Sequence, residues 1–241
     1  MSYPPHAAAA QHGFVPVSEQ AIEARLSFIR RTYAHLMGAI GVFAVLCFTI
    51  LQLDVTRQAV EWVMMKGSYA WLAVLGIFMV VGMAADRMAL PSMSKPVQYA
   101  GLGLYTVAEA IIFTPMLYMA NAFAPGAIST AAVISAIVFA GLTVIVFMTK
   151  KDFSFLRSFI MVGGLVAIGA IVAGAIFGFS LGLWFSVAMV LLAAGAILYN
   201  TSNVLHHYPT DAHVAAALSL FAAVALMFWY VLRIVMAFSR D

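Results

Sequence analysis

Charged residues are scarce in this chain. Only 9% of its 241 residues are charged, while 65% are hydrophobic. A soluble domain has about 25% charged residues, so the composition excludes an ordinary water-soluble fold. The single cysteine, Cys47, lies within an apolar run, which excludes a disulfide framework and a cysteine-based metal cluster. We interpret it as a small buried residue and expect neither a metal nor a cofactor.

Motifs that would carry catalysis or phosphate binding are also scarce. The metalloprotease motif His-Glu-x-x-His and a glycine-rich phosphate loop are both missing from the sequence. The net charge is +3, but the basic residues do not cluster into a patch of the kind that binds nucleic acid. We therefore expect a protein that is not an enzyme and does not bind nucleic acid.

Long stretches without charge take the place of these features. A helix that crosses a bilayer needs about 20 consecutive apolar residues, and charge-free stretches of that order recur along the chain. Breaks at 121–126 and 178–182 divide the two longest stretches. The fold class is therefore predicted to be an all-α membrane protein, a bundle of seven transmembrane helices. The predicted spans are 35–53, 69–85, 96–119, 127–148, 157–177, 181–205 and 212–238.

The segment before the first span divides into two parts. Residues 1–17 are rich in alanine, proline and histidine and lack apolar periodicity, which predicts a disordered tail. Residues 18–34 are predicted to form an amphipathic helix on the membrane surface, with Ser18 as its N-cap. Residues 35–241 make up the seven-helix domain.

Lysine and arginine predict the orientation, because they are enriched on the cytoplasmic side of membrane proteins. If the N-terminus is inside, eight of them fall in inner segments and four in outer segments. The inner residues are Arg25, Arg30, Arg31, Arg87, Lys95, Lys150, Lys151 and Arg157, and the outer residues are Arg57, Lys66, Arg233 and Arg240. This distribution predicts a cytoplasmic N-terminus and a C-terminus outside.

Glu109 is the one acid well inside a predicted span. Six residues later, Pro115 removes a backbone donor and predicts a kink. An acid beside a kink is consistent with an ion path, or with a structural role in which Glu109 is protonated or paired with Arg233. Arg233 either forms that pair or extends to the membrane surface. Asn200 is a further polar residue within a span, and all three are candidates for a buried polar site.

The corner between the last two spans carries three histidines. We interpret them as polar residues at the membrane surface rather than as a metal site, because Asp211 is the only acid beside them. They are His206, His207 and His213.

Small residues let membrane helices approach closely. Ala170, Gly174 and Gly178 are spaced by four residues on the fifth span. This spacing predicts that the fifth span lies at the centre of the bundle.

Several motifs resemble the Bax-inhibitor (TMBIM) family. One is the loop after the fourth span, which begins with Lys150, Lys151 and Asp152. Others are AILYNTSN in the sixth span, ALSLF in the seventh and FSRD at the C-terminus. The resemblance covers residues 25–241 and is closest to the bacterial YccA-type branch.

The resemblance implies a seven-helix bundle in the bacterial inner membrane with its last helix at the centre. Proteins of the YccA type bind and restrain the membrane protease FtsH. Other branches are described as pH-sensitive calcium leak channels that use two acids and an arginine. The matching positions here are Asn200, Ala223 and Arg233, so the arginine is present and both acids are missing.

Two functions follow from this resemblance. The resemblance to the YccA-type branch implies a regulatory protein whose partners are the lipid bilayer and the FtsH protease. An amide and a methyl group do not titrate, so the pH-gated calcium mechanism is not expected in its usual form. A calcium or proton leak channel with Glu109 and Pro115 on its path is the alternative. A solute transporter is disfavoured, since the sequence shows no internal repeat.

Overall fold

A computed structural model describes residues 16–239 of the chain. A 3-10 turn at Val17–Glu19 is followed by eight helices and by no strand in this part of the chain. The helices are α1 (Ile22–Leu51), α2 (Asp54–Met65), α3 (Ser68–Met88), α4 (Lys95–Phe123), α5 (Ala127–Thr149), α6 (Leu156–Phe177), α7 (Gly182–His206) and α8 (His213–Phe238). The predicted tail up to residue 15 lies outside the described residues.

The predicted membrane architecture is confirmed. Seven of the helices, all except α2, are long and apolar enough to cross a membrane. Both predicted breaks are turns between helices. Gly126, before α5, and Gly178, after α6, have φ values of 83° and 75°, a left-handed conformation that glycine adopts without steric cost. The breaks therefore end one helix and allow the next to begin.

The segment before the first span differs from the prediction. The expected surface helix is not separate, because α1 runs without interruption from Ile22 to Leu51 and contains no proline that would break it. Ser18 is not its N-cap: the Ser18 hydroxyl instead donates to the His206 carbonyl oxygen at 3.0 Å. Val17, assigned to the disordered tail, is fully buried, and its N–H donates to the Tyr208 carbonyl oxygen at 2.9 Å. This short segment is thus fixed to the end of α7.

Helix α8 is the centre of the bundle, as expected for the last helix. It packs against α1, α4, α5 and α7, and fourteen of its 26 residues are buried. Phe221 shows why, because its ring contacts Phe43 of α1 and Tyr105 of α4 edge-on at 5.8 and 6.1 Å. A helix that is apolar on every side can be surrounded by others in this way.

The prediction that the fifth span is central is wrong. That span is α6, and only Ala167 and Gly174 of its 22 residues are buried. It packs on one side against α7 and, more loosely, α3. Small residues allow close approach to one neighbour, but their spacing does not reveal how many neighbours a helix has. Large side chains elsewhere on α6, such as Leu165, point outward and are exposed.

Helices α3 and α4 approach each other closely at Gly101. A Cβ atom at this position would lie 2.8 Å from the Ala85 carbonyl oxygen and 2.8 Å from the Met88 Cβ. Glycine therefore permits a contact that no other residue would allow without displacement of α3. The contact fixes α4, which carries Glu109 and Pro115.

Candidate functional site

A cavity of about 810 Å³ lies between α3, α4, α6, α7 and α8. Glu109, Pro115, Asn200 and Arg233 all line it. The structure thus brings together, in one cavity, the polar candidates and the proline that the sequence singled out. Residues of the α2–α3 and α6–α7 connections also line it, among them Gly67, Ser68, Phe179, Ser180 and Leu181. The cavity therefore extends to one end of the bundle, which we call the cavity end.

Glu109 is buried, with 5% of its surface exposed. The expected ion pair with Arg233 is not formed: within residues 16–239, no lysine, arginine or histidine lies within 4.0 Å of the Glu109 carboxylate. The helix register explains this. The ring of Tyr105 contacts Phe221, and that of Phe113 contacts Trp229, so Glu109 lies midway between these levels. Arg233 is about eight residues further along α8, or roughly 12 Å.

Asn200 joins α7 to α8 where channel-type relatives are expected to have an acid. Its Nδ2 donates to the Ser219 carbonyl oxygen at 2.9 Å. The second acid position, Ala223, is buried with 4% of its surface exposed. At this point the two helices are therefore held by an amide hydrogen bond, which does not depend on protonation.

Arg233 lies near the C-terminus of α8, where it is half-buried. Its Cζ atom is 5.9 Å from the centroid of the Tyr230 ring, a distance at which a guanidinium is attracted to an aromatic face. Two tryptophans that line the same end of the cavity, Trp71 and Trp229, stack on each other with centroids 6.1 Å apart. The cation thus stands beside an aromatic wall.

The opposite end of the bundle, which we call the corner end, holds the loop motif Lys150, Lys151 and Asp152. The Asp152 carboxylate accepts hydrogen bonds from the Ser154 N–H at 2.8 Å and from His207 Nε2 at 3.0 Å. Partial burial raises the pKa of Asp152, but the Ser154 N–H and His207 together lower it by more, so the pKa lies below its ordinary value. The loop is thereby joined to the end of α7.

The two lysines of this motif are exposed and make no hydrogen bond through their side chains in the described part of the chain. Lys150 ends α5 in a left-handed conformation with φ of 51°, which is uncommon for residues other than glycine. Its N–H donates to the Val146 carbonyl oxygen at 2.9 Å. The lysines are thus placed at the surface of the corner end, where the predicted orientation puts the cytoplasm.

A cluster of rings at the corner end was not predicted. The His35 ring stacks on Tyr99 at 5.4 Å and lies 5.1 Å from His213. Nearby, Lys95 Nζ donates to the Asp211 carbonyl oxygen at 2.7 Å. These residues are far apart in the sequence and share no motif, so only the helix order brings them together. Within residues 16–239, no group of three histidine, cysteine or acidic residues is arranged to hold a metal ion.

One short motif was missed in the sequence: residues 178–182 read Gly-Phe-Ser-Leu-Gly. The pattern Gly-x-Ser-x-Gly marks a nucleophilic serine when it forms a tight turn between a strand and a helix. Here it connects α6 to α7, so the structural context that gives the motif its meaning is missing. Ser180 lines the cavity as part of a loop between membrane helices.

Comparison with known proteins agrees with these features. Protein LIFEGUARD 4 of Arabidopsis thaliana is 28% identical over 236 residues, which cover 93% of this chain and 90% of that protein. Bax inhibitor 1 of Schizosaccharomyces pombe is 28% identical over 224 residues, 91% of this chain and 79% of the yeast protein.

A bacterial relative is more similar over a shorter region. The Modulator of FtsH protease YccA of Escherichia coli is 34% identical over 108 residues, which cover 44% of this chain and 49% of YccA. The match therefore spans about half the length of that relative. The family profile described as "Inhibitor of apoptosis-promoting Bax1" matches residues 25–240. With seven membrane helices, of which the last is buried among the others, and a family match over most of its length, the chain belongs to the Bax inhibitor family.

Proposed function

We propose that this protein is an inner-membrane regulator that binds the FtsH protease and restrains it. The observation that carries the proposal is the 34% identity to a protein named as a modulator of FtsH. The packing of the bundle is compatible with this role. A central helix with fourteen buried residues has many contacts to lose before it is extracted, so the protein would be a poor substrate for a membrane protease.

The corner end is the surface that we assign to the protease. It carries the exposed Lys150 and Lys151, the Asp152–His207 contact and the described start of the N-terminal segment at residue 16. Under the predicted orientation, the corner end faces the cytoplasm, and so do the 15 residues that precede residue 16. A protease that acts from that side would engage the N-terminal residues first. It would then meet Val17, which is fixed to Tyr208.

The test uses the full-length chain in E. coli cells that lack their own YccA. FtsH is expected to co-purify with the tagged protein from detergent, and turnover of a membrane substrate of FtsH is expected to slow. Deletion of residues 2–15 is expected to reduce recovery of FtsH, while a tail of the same length and composition in scrambled order serves as the matched control. A chain that never co-isolates with FtsH and leaves substrate turnover unchanged would refute the proposal.

A calcium or proton leak is a second candidate, favoured by the cavity that Glu109, Asn200 and Arg233 line. Between this cavity and the corner end lie fully buried residues of α7 and α8, including Thr201 and Ala216. A leak would therefore require these helices to separate. Ion flux into liposomes that is lost in Glu109→Gln would support the leak, whereas no flux above that of empty liposomes would exclude it.

A further inference from the structure

Arg233 is a cation in the cavity, and no carboxylate of the described residues lies beside it. Its guanidinium lies over the Tyr230 ring, one turn earlier on α8. Side chains in a helix lean toward its N-terminus, so this arrangement directs the charge back toward the cavity rather than away from it. Within residues 16–239, no aspartate or glutamate carboxylate lies within 4.0 Å of it. A cation in such a place is costly without a partner.

The cavity beyond Arg233 is long and mainly apolar. From Arg233 to Ser219, which also lines it, α8 rises roughly 21 Å over fourteen residues. The wall along this length is formed mostly by aliphatic and aromatic side chains: Leu75, Phe78, Ile112, Phe113, Ile171, Leu181, Leu226 and Trp229. Its volume of about 810 Å³ is within the roughly 300–1,000 Å³ typical of ligand pockets. The shape suits a hydrocarbon chain.

Two polar groups at the deep end of the cavity already have hydrogen-bond partners. Asn200 Nδ2 donates to the Ser219 carbonyl oxygen on α8, and the Ser219 hydroxyl donates to the Ala215 carbonyl oxygen on its own helix. Glu109 exposes only 5% of its surface. Among the described residues that line the cavity, Arg233 is the only cation.

We propose that this cavity binds a single-chain anionic amphiphile. Its carboxylate or phosphate head would accept hydrogen bonds from Arg233, and its tail would extend past Trp71 and Trp229 toward Asn200. A guanidinium is well suited to such heads because its donors form a planar fork. A cationic ligand on Glu109 would have to pass Arg233 at the mouth. The proposal concerns a ligand site and goes beyond the proposed action on a protease.

The cavity contains its own optical probes. Trp71 and Trp229 line it, whereas Trp62 and Trp184 are 56% and 85% exposed on the outside of the bundle. In a chain with Trp62→Phe and Trp184→Phe, tryptophan fluorescence therefore comes from the cavity alone. In detergent, a fatty acid that carries bromine on its chain should quench this fluorescence in a saturable way. An excess of the same fatty acid without bromine should restore it.

Charge variants then test the assigned head group. Arg233→Gln is expected to weaken the apparent affinity roughly tenfold or more, as loss of a charge-assisted contact would. Arg57→Gln is the matched control, because Arg57 is exposed on α2 and pairs there with Glu61. It is expected to bind as the parent does. A brominated monoglyceride, which has the same chain without charge, is expected to bind more weakly than the fatty acid by a similar factor.

Three results would overturn the proposal. They are unchanged affinity in Arg233→Gln, equal affinity for the charged and neutral probes, and quenching that an excess of the fatty acid without bromine does not reverse. A fold control keeps these outcomes interpretable. Cys47 is the only cysteine in the sequence and is buried in α1, so its reactivity with a thiol dye on heating reports whether each variant is folded.

Discussion

The two ends of the bundle differ in how they are closed. At the corner end, segments distant in the sequence are joined by polar contacts: Val17 to Tyr208, Lys95 to Asp211 and Asp152 to His207. At the cavity end, the ion pair between Arg57 and Glu61 lies within α2 and joins no two helices, and the helices around the cavity meet through aromatic rings. The comparison suggests that one end holds the helices together while the other leaves room between them.

The largest effect is expected at the close approach of α3 and α4. Gly101→Leu would place a side chain where even a Cβ lies 2.8 Å from the Ala85 carbonyl oxygen. Overpacking of this kind is expected to destabilise the bundle by about 3 kcal/mol. Gly103→Leu is the matched control, because a Cβ atom at that position would have no neighbouring atom within 4 Å. Thermal unfolding in detergent, followed through the reactivity of Cys47, measures both, and equal losses would contradict the packing described here.

The next effect distinguishes the central helix from the peripheral one. Leu220 of α8 is fully buried, whereas Leu165 of α6 is 69% exposed. Leu220→Ala is expected to cost about 2 kcal/mol through lost packing, and Leu165→Ala very little. The same unfolding measurement applies. A larger loss of stability in Leu165→Ala than in Leu220→Ala would support α6 as the centre of the bundle.

A smaller effect is expected at the polar contact of the corner end. Because the pKa of Asp152 is lowered in the folded protein, its contribution is present above the ordinary aspartate value of about 3.9. It is lost as the pH falls through the lower folded value. Asp152→Asn is expected to cost at most about 1 kcal/mol near neutral pH, since the contact is exposed. The difference from the parent should shrink as the pH falls below the ordinary aspartate value, and a difference that grows in acid would show the sign to be wrong.

The smallest expected quantity is a coupling energy. Glu109 and Arg233 line one cavity but do not pair, so Glu109→Gln and Arg233→Gln should act independently. Their combined effect on unfolding is expected to equal the sum of the single effects within about 0.5 kcal/mol. A double variant that loses no more than either single variant would reveal a pair that forms in solution.

The sequence predicted the helices well because their signal is local. Charge-free runs and the glycines at 126 and 178 mark where helices begin and end, and six of the seven predicted spans match the observed helices closely. The exceptions are α1, which begins at Ile22 rather than at residue 35, and α2, which was not among the predicted spans. Burial is not local in the same sense. Gly174 and Gly101 look alike in sequence, but only the arrangement of neighbouring helices places the backbone of another helix against Gly101 and leaves α6 at the periphery.

The candidate site was predicted as a set of residues rather than as a geometry. Glu109, Asn200 and Arg233 stood out because polar groups are rare within membrane spans, and they do line one cavity. The alternative in which Glu109 pairs with Arg233 was wrong. Such a pair depends on the register of α4 against α8, which follows from contacts such as Phe113 with Trp229. The ring cluster of His35, Tyr99 and His213 depends on the same long-range order.

The difference between the two ends can be measured most directly by the accessibility of two positions on α8. In a chain with Cys47→Ala, a cysteine is placed at Ala222, which lines the cavity, or at Ala216, which is fully buried toward the corner end. A small water-soluble methanethiosulfonate reagent is then added to the folded protein. We predict that Ala222→Cys reacts many times faster than Ala216→Cys. Equal rates, or faster reaction at Ala216→Cys, would contradict a bundle that is open at one end and closed at the other.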